Sequence, residues 1–589
     1  MQNLAESPLT TEQYAEQHYP ELSYETTFAK ALVSHLSQLG IRQSFGIIGG
    51  AIGVVYDALE QSQIEVHHYR HETGAAFAAA EAHFATDEPT LVFTTTGPGI
   101  LNVLTGITAA KWDGAKVLLI SGSTSAPQRG RWATQETSSY TLPQDTLYSA
   151  GPIFDFAIRV EHPAEFPEVI RRLSLGMSRP GGFVAHISLP ISVQSARVEL
   201  PKPRRSTIIA APSIAKHDVE ACADRLKESP FAVWLGFGAR KATPAIRMLV
   251  ERSGAKVFCS PRAKGIVPED DPNFVGVTGL GGHESVNQFM VEHRPDWILV
   301  MGTRLGEATS FWDPELKPAR GFIHVDIDPE VPGVAYPDVE TLGIQAEIGA
   351  FLEALLPHFP EDGSARQADL FTTGPNIEPT PLDIAGKSPV RPQALMRAIQ
   401  KHVVQGTDAI VMAECGNSFA WCNHHLCFRT PNRYRVSTLY GSMGHFAAGV
   451  VGAAQARRRK AVAVVGDGSM LMNSEISTAA QHGTPAVWIV LNDAAYGMCE
   501  NGQQVLGLAA SQLCFPEVDF VALARSMGAD GIRVESEDML DVAMRQAIEA
   551  NGPFVVDVRI DPSEASPLMQ RFESLLKQGS TNNVAGWEI

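Results

Sequence analysis

Residues 460–497 read KAVAVVGDGSMLMNSEISTAAQHGTPAVWIVLNDAAYG. An apolar, β-branched run breaks at Gly466-Asp467-Gly468-Ser469, helix-like composition continues to Gly483, and a second apolar run ends at Asn492-Asp493. The pattern predicts a strand–helix–strand unit with a carboxylate at one strand tip and a polar pair at the other. Parallel strands place their carboxyl ends on one edge, where open α/β sheets bind ligands, so Asp467 and Asp493 should lie close together. Two oxygen-bearing side chains there suit Mg²⁺, a hard cation that usually shares its octahedral shell with phosphate oxygens. The stretch is expected to hold a metal-bound diphosphate.

The same alternation of strand and helix extends in both directions. After a polar arm at 1–21, expected helices at 27–39 and 71–84 and strands at 43–48, 65–69, 90–95, 116–121 and 182–188 make a first α/β domain over 22–200, ended by LPKPRRS. Strands at 232–236, 256–259, 297–301 and 321–326 mark a second domain over 208–358. Residues 359–391 are rich in Pro, Gly, Asp and Thr without sustained periodicity, and read as a linker. A third domain over 392–575 has strands near 409–413, 434–437 and 554–559 besides the two of the opening stretch, and a tail follows at 576–589. The fold class is α/β with three doubly wound parallel-sheet domains.

The gross numbers exclude several classes. A chain of 589 residues is long for one core, and 44% hydrophobic with 19% charged residues is globular. A net charge of −18 argues against a nucleic-acid partner, which needs a basic face. No apolar run approaches the ~18 residues that cross a membrane, and the start MQNLAESPLTTEQYAEQ lacks the regions of a signal peptide, so a cytoplasmic location without membrane contact is expected. Seven cysteines without CxxC spacing argue against a disulfide framework. Cys422-Asn-His-His-Leu-Cys427 matches no zinc spacing and reads as buried cysteines.

Glu72, in His68-Tyr-Arg-His71-Glu72-Thr-Gly-Ala-Ala-Phe, stands where a strand meets an alanine-rich helix. Taken alone it is a first-turn carboxylate favoured by the helix dipole. Together with the loops Gly46-Ile-Ile-Gly49-Gly50-Ala51, Gly97-Pro98-Gly99 before Asn102, Gly441-Ser442-Met443-Gly444 and Gly466-Asp467-Gly468, it makes the chain resemble the thiamine diphosphate-dependent enzymes over nearly its whole length. Five elements in the right order carry the resemblance where one glycine loop would not. It is nearest the acetohydroxyacid synthase, pyruvate oxidase and related carboligase branch.

The resemblance implies a pyrimidine-binding first domain, a Rossmann-like central domain and a diphosphate-binding third domain. Cofactor contacts would come from Gly49, Gly50, Ala51, Pro98 and Asn102 in the first domain. In the third they would come from Gly416, Asn417, Ser418, Gly441, Met443, Gly466, Gly468, Ser469 and Met498. Asp467, Asp493 and the carbonyl of Ala495 would hold the metal. The family usually has two asparagines where this chain reads Asn492-Asp493, so Asn492 is an alternative ligand to Asp493. Glu72 would share a proton with the pyrimidine ring, with His71, His445, His482 and Gln135 as further catalytic candidates. Sites in the family lie between subunits, which implies a homodimer or homotetramer.

Gly236-Phe-Gly-Ala-Arg, Met301-Gly-Thr-Arg304 and His324-Val-Asp326-Ile-Asp328 match a central domain that holds FAD in some members, ADP in others and nothing in others. Acetohydroxyacid synthases clamp the acceptor's carboxylate with an arginine whose place here falls at Ala308, and bound the acceptor with a tryptophan whose place falls near Gly502. The expected activity is therefore decarboxylation of a 2-keto acid, such as pyruvate, with ligation of its acyl unit to an aldehyde, ketone or larger acceptor. Acetolactate synthase, a FAD-containing 2-keto acid oxidase, a simple decarboxylase and a non-catalytic regulatory member are the alternatives.

Overall fold

The central strands of this chain are apolar at every position rather than at alternate ones. Ala461–Gly466 and Ala486–Asn492 are buried along almost their whole length, as strands covered by helices on both faces must be. A computed structural model describes residues 25–199, 212, 214–362, 386–472, 474–508 and 513–579. The arm at 1–21, residues 363–385 of the expected linker and the tail beyond 579 lie outside the described residues. Three six-stranded sheets form, with every neighbouring pair parallel. No helix among the described residues is long and apolar enough to cross a membrane.

Numbered within each domain, the strands of the first and third sheets both run 2-1-3-4-6-5, and those of the central sheet run 3-2-1-4-5-6. The chain therefore reverses direction between strands 1 and 3 of the outer domains, opening a crevice at their carboxyl ends. In the third domain these are Ile410–Ala413 and Ala461–Gly466, and in the first they are Gln43–Gly46 and Thr90–Thr94. Besides a two-stranded antiparallel pair, Glu25–Thr27 with Arg197–Glu199, four strands of these sheets went unexpected: Phe156–Arg159, Phe274–Val277, Glu340–Gln345 and Asp530–Val534. All four are sheet edges, where the apolar run is short or interrupted.

Two boundaries shift. Val390 bridges to Ile560, and Arg391 is paired with Glu537 at 2.6 Å, so the end of the expected linker belongs to the third domain. Helix Met569–Gly579 crosses the expected start of the tail at 576.

The first and third domains share one hydrophobic cluster, centred on helices Glu72–Thr86 and His445–Arg457. Their alanines and glycines let the backbones approach closely. A Cβ on Gly452 would lie 2.2 Å from the carbonyl oxygen of Ala78, and one on Gly449 would lie 2.7 Å from Glu81 Cγ. Into this dry seam the chain places Glu81, which accepts two hydrogen bonds from Arg435 at 2.9 and 2.7 Å and lies 3.1 Å from His445 Nε2. Burial opposes ionisation of Glu81, but the Arg435 guanidinium outweighs it and, with His445, holds the carboxyl well below the usual range. Gly452→Ala should cost about 1–3 kcal/mol by overpacking this seam, and Glu81→Leu about 3–5 kcal/mol by stranding Arg435. Both are read as a fall in the urea midpoint, and an unchanged midpoint for Gly452→Ala would contradict the close packing.

Candidate active site

The crevice of the third domain opens into a cavity of about 630 Å³. One wall is the loop after Ile410–Ala413, where Gly416 takes a left-handed backbone (φ +88°) and helix Asn417–His425 begins with its free N–H groups beside Ser418. Such a helix start attracts phosphate oxygens. A Cβ on Gly416 would meet only Met498, at 4.0 Å, and one on Gly441 would meet nothing within 4 Å, so the glycines leave room where a ligand would lie. Gly441, Met443, Gly466, Gly468, Ser469 and Met498 all line this cavity. Gly468 is required sterically, because a Cβ there would lie 2.7 Å from the Tyr496 ring and 3.3 Å from Met443 Cε.

Asp467 and Asp493 line the same cavity from adjacent strand tips. Ala494 is left-handed (φ +56°), an uncommon conformation for a residue with a Cβ, and the turn aims the N–H groups of Asp493 and Ala494 at Asp467 Oδ2, at 3.1 and 2.7 Å. Burial raises the Asp467 carboxyl, and burial followed by repulsion from Asp467 pushes Asp493 up to about 7. Two buried carboxyls with no cation beside them are mismatched, and an oxygen-seeking divalent ion fits this donor set, with Ala495 on the same rim. Asn492 points the other way. Its amide donates to Asp557 Oδ1 at 2.8 Å and to the Val518 carbonyl at 3.1 Å, and its oxygen accepts from Arg559 at 3.1 Å.

The corresponding crevice of the first domain gathers a second group of residues. Gly49 packs so close to Thr95 that a Cβ would lie 2.5 Å from its hydroxyl, Gly50 follows, and the Ala51 carbonyl accepts from Gln194 at 2.7 Å. Pro98 opens helix Pro98–Asp113, from which Asn102 donates to the Glu72 carboxylate at 3.1 Å. Glu72 is 9% exposed. Gln135, left-handed at φ +56°, packs on Gly97 and accepts from Thr96 at 3.2 Å. Neither Glu72 nor any of these first-domain residues lines the third-domain cavity of its own chain.

None of the three candidate histidines lines the third-domain cavity. His445 is sealed in the seam between domains, stacked on Phe77 and paired with Glu81, and cannot reach the cavity. His482 ends helix Ile476–His482, just before strand Ala486–Asn492 begins, which is the opposite edge of the sheet from Asp493. His71 is the N-cap of the Glu72 helix, accepting from Thr73 N at 3.2 Å. Cys422 packs its sulfur 3.8 Å from that of Met396, as an ordinary core residue.

Two carboxylates were missed from sequence. Glu414 is fully buried and accepts from the N–H groups of Phe446 and Ala447 at 2.9 and 3.1 Å, holding the His445 helix to the cavity wall at Gly416. Glu475 accepts from the N–H groups of Arg70 and His71, tying the loop after Asp467 to the start of the Glu72 helix. Glu475 had a visible signal, as an acid opening a helix after the metal loop. The apolar far wall of the cavity, with Trp112, Phe311 and Trp312, comes from the first and central domains and had none.

Three segments match descriptions of one family: residues 26–142 the thiamine pyrophosphate enzyme N-terminal TPP binding domain, residues 219–355 its central domain, and residues 414–558 its C-terminal TPP binding domain. The chain is 28% identical over 551 residues to the acetolactate synthase isozyme 1 large subunit of Escherichia coli, covering 91% of this chain and 94% of that one. It is 28% identical over 569 residues to a probable acetolactate synthase large subunit of Methanocaldococcus jannaschii, covering 92% and 93%. It is also 27% identical over 552 residues to the putative thiamine pyrophosphate-containing protein YdaP of Bacillus subtilis, covering 91% and 92%.

The geometry separates the two residues at the strand tip. Asp493→Ala should raise the Mg²⁺ concentration for half-activation by more than about tenfold. Asn492→Ala should leave it within about twofold while lowering the unfolding midpoint, because it removes one hydrogen bond each from Asp557 and Arg559. The opposite order would make Asn492 the ligand.

Proposed function

The chain belongs to the thiamine diphosphate-dependent enzymes, in the acetohydroxyacid synthase-like branch, and from that premise we propose that it joins the acyl unit of a decarboxylated 2-keto acid to a small carbonyl acceptor. The supporting observation is the cavity itself: a metal-suited carboxylate pair, a phosphate-suited helix start, Met443 and the apolar side chains Trp112, Phe311 and Trp312 line one space. Thiamine diphosphate supplies the nucleophilic carbon and the electron sink for decarboxylation when bound.

The protein's own residues then have separable tasks. Asp467, Asp493 and the Ala495 carbonyl would hold Mg²⁺, and Gly416, Asn417 and Ser418 would hold the diphosphate. Met443 would prop the two rings in a bent arrangement, with the Gly441 carbonyl accepting from the aminopyrimidine. Glu72 would hold a proton at the pyrimidine nitrogen, oriented by the amide of Asn102, which already donates to it. Because Glu72 lies outside its own chain's cavity, the glutamate would come from a second copy, making a homodimer the smallest active unit. Decarboxylation with ligation is redox-neutral, so no step calls on FAD in the central domain.

The relatives' names favour acetolactate synthase as the second reading, with pyruvate as both donor and acceptor. Ala308 and Gly502, at the places of that enzyme's arginine and tryptophan, weigh against it. Incubation with thiamine diphosphate, Mg²⁺, pyruvate and a panel of aldehydes, ketones and 2-keto acids separates the readings by product mass. Ligated products are expected, and their absence with every acceptor would overturn the proposal. Glu72→Gln should lower turnover by about 10²–10⁴ while the cofactor still binds, and unchanged turnover would remove Glu72 from the mechanism.

A further inference from the structure

The cavity holds a cation that belongs to none of the cofactor contacts. Arg571, on the C-terminal helix Met569–Gly579, lines it together with Glu307 and Ala308 of the central domain, and the Arg571 guanidinium is ion-paired with the Glu307 carboxylate. Among the described residues that line the cavity Arg571 is the one lysine or arginine, against Glu307, Asp467 and Asp493. Both partners of the pair keep about a third of their side chains exposed, 30% for Arg571 and 33% for Glu307, so the pair can open without breaking the core.

Two local features aim this pair inward. Phe572 lies over helix Gly497–Leu506, so that a Cβ on Gly502 would touch its ring at 3.4 Å. A bulky side chain at 502 would push the C-terminal helix away, and glycine lets it settle and bring Arg571 to the cavity. The facing loop carries three left-handed residues with side chains, Leu305 (φ +52°), Phe311 (φ +49°) and Trp312 (φ +51°). Such a backbone is costly and is kept where the surroundings impose it, and here it presents Glu307 and Ala308 to the same space.

Chemistry selects what Arg571 would read. A cation that grips the carboxylate a donor must lose would stabilise the ground state and slow decarboxylation, whereas a carboxylate retained through the reaction can be gripped at no such cost. Resting on the ligation proposed above, we propose that Arg571 is the specificity-determining residue for the acceptor. In this reading Glu307 occupies the fork in the absence of that carboxylate, and the acceptor is a carboxylate-bearing carbonyl compound rather than a neutral aldehyde. The planar guanidinium offers two parallel donors to either carboxylate, so acceptor and Glu307 compete for one fork.

The test uses the full-length holoenzyme with thiamine diphosphate and Mg²⁺. 2-Hydroxybutanoate, which has the carboxylate but no carbonyl to react, is titrated against its amide, with tryptophan fluorescence as readout because Trp112 and Trp312 line the cavity. Arg571→Gln is expected to weaken the acid at least about tenfold and leave the amide within about twofold. Arg571→Lys should recover part of the loss, and Glu307→Gln should tighten the acid several-fold. With pyruvate as donor, Arg571→Gln should raise KM for 2-oxobutanoate far more than for propanal. Equal loss for acid and amide, a shift in half-saturating thiamine diphosphate, or no carboxylate-dependent binding by the unmodified holoenzyme would each overturn the assignment. Arg571-dependent binding without any ligated product would overturn ligation, and with it the role of Arg571 toward an acceptor, leaving only a carboxylate-binding residue.

Discussion

Two small-residue helices pressed backbone to backbone set the geometry on which the rest depends. Glu72–Thr86 and His445–Arg457 can approach so closely only because Gly449, Gly452 and the alanines facing them leave no side-chain volume between. That contact joins the first and third domains into one body and buries the Glu81–Arg435 pair, whose desolvation is offset by bidentate hydrogen bonding. It also fixes where the active residues can go. Glu72 begins one helix and Glu475 anchors that beginning to the loop after Asp467, while Glu414 anchors the start of the other helix to the loop before Gly416.

The outer domains are topological twins, and their shared strand order explains why two unrelated sets of loops look equally prepared for a ligand. Each reverses direction between its first and third strands, and each places glycine turns at that point. In the third domain the crevice carries carboxylates and a helix start suited to a metal-bound diphosphate. In the first it carries Glu72 and Asn102, suited to a ring nitrogen. Glu72 does not line the third-domain cavity of its own chain, which makes pairing of chains the simplest way to bring both halves onto one cofactor.

Much of this was legible in the sequence because central strands of doubly wound sheets are continuous apolar runs and the loops after them hold fixed glycines. Edge strands such as Glu340–Gln345 and Asp530–Val534 escaped, since a strand half in solvent needs no such run. The metal turn was legible down to a choice of two residues. What turns Asn492 away from Asp467 is a long-range contact, with Asp557 of a neighbouring strand, which no local pattern reports. His445 misled for the same reason. It stands two positions after Met443, which lines the cavity, yet it opens a helix that turns into the seam. Arg571 lies 104 positions after Asp467 along the chain, and only the fold brings both to one cavity.

The central claim is a site divided between two copies of the chain, and a mixture of two defective chains tests it most directly. Glu72→Gln damages only the first-domain half and Asp467→Asn only the third-domain half. Unfolded together and refolded, they form mixed dimers in which a divided site leaves one centre doubly damaged and the other intact. Recovery of about one quarter of the unmodified activity, where each variant alone has almost none, is the expected result. No recovery, from mixtures shown to contain mixed dimers, would place Glu72 and Asp467 in one site of a single chain and contradict the divided site.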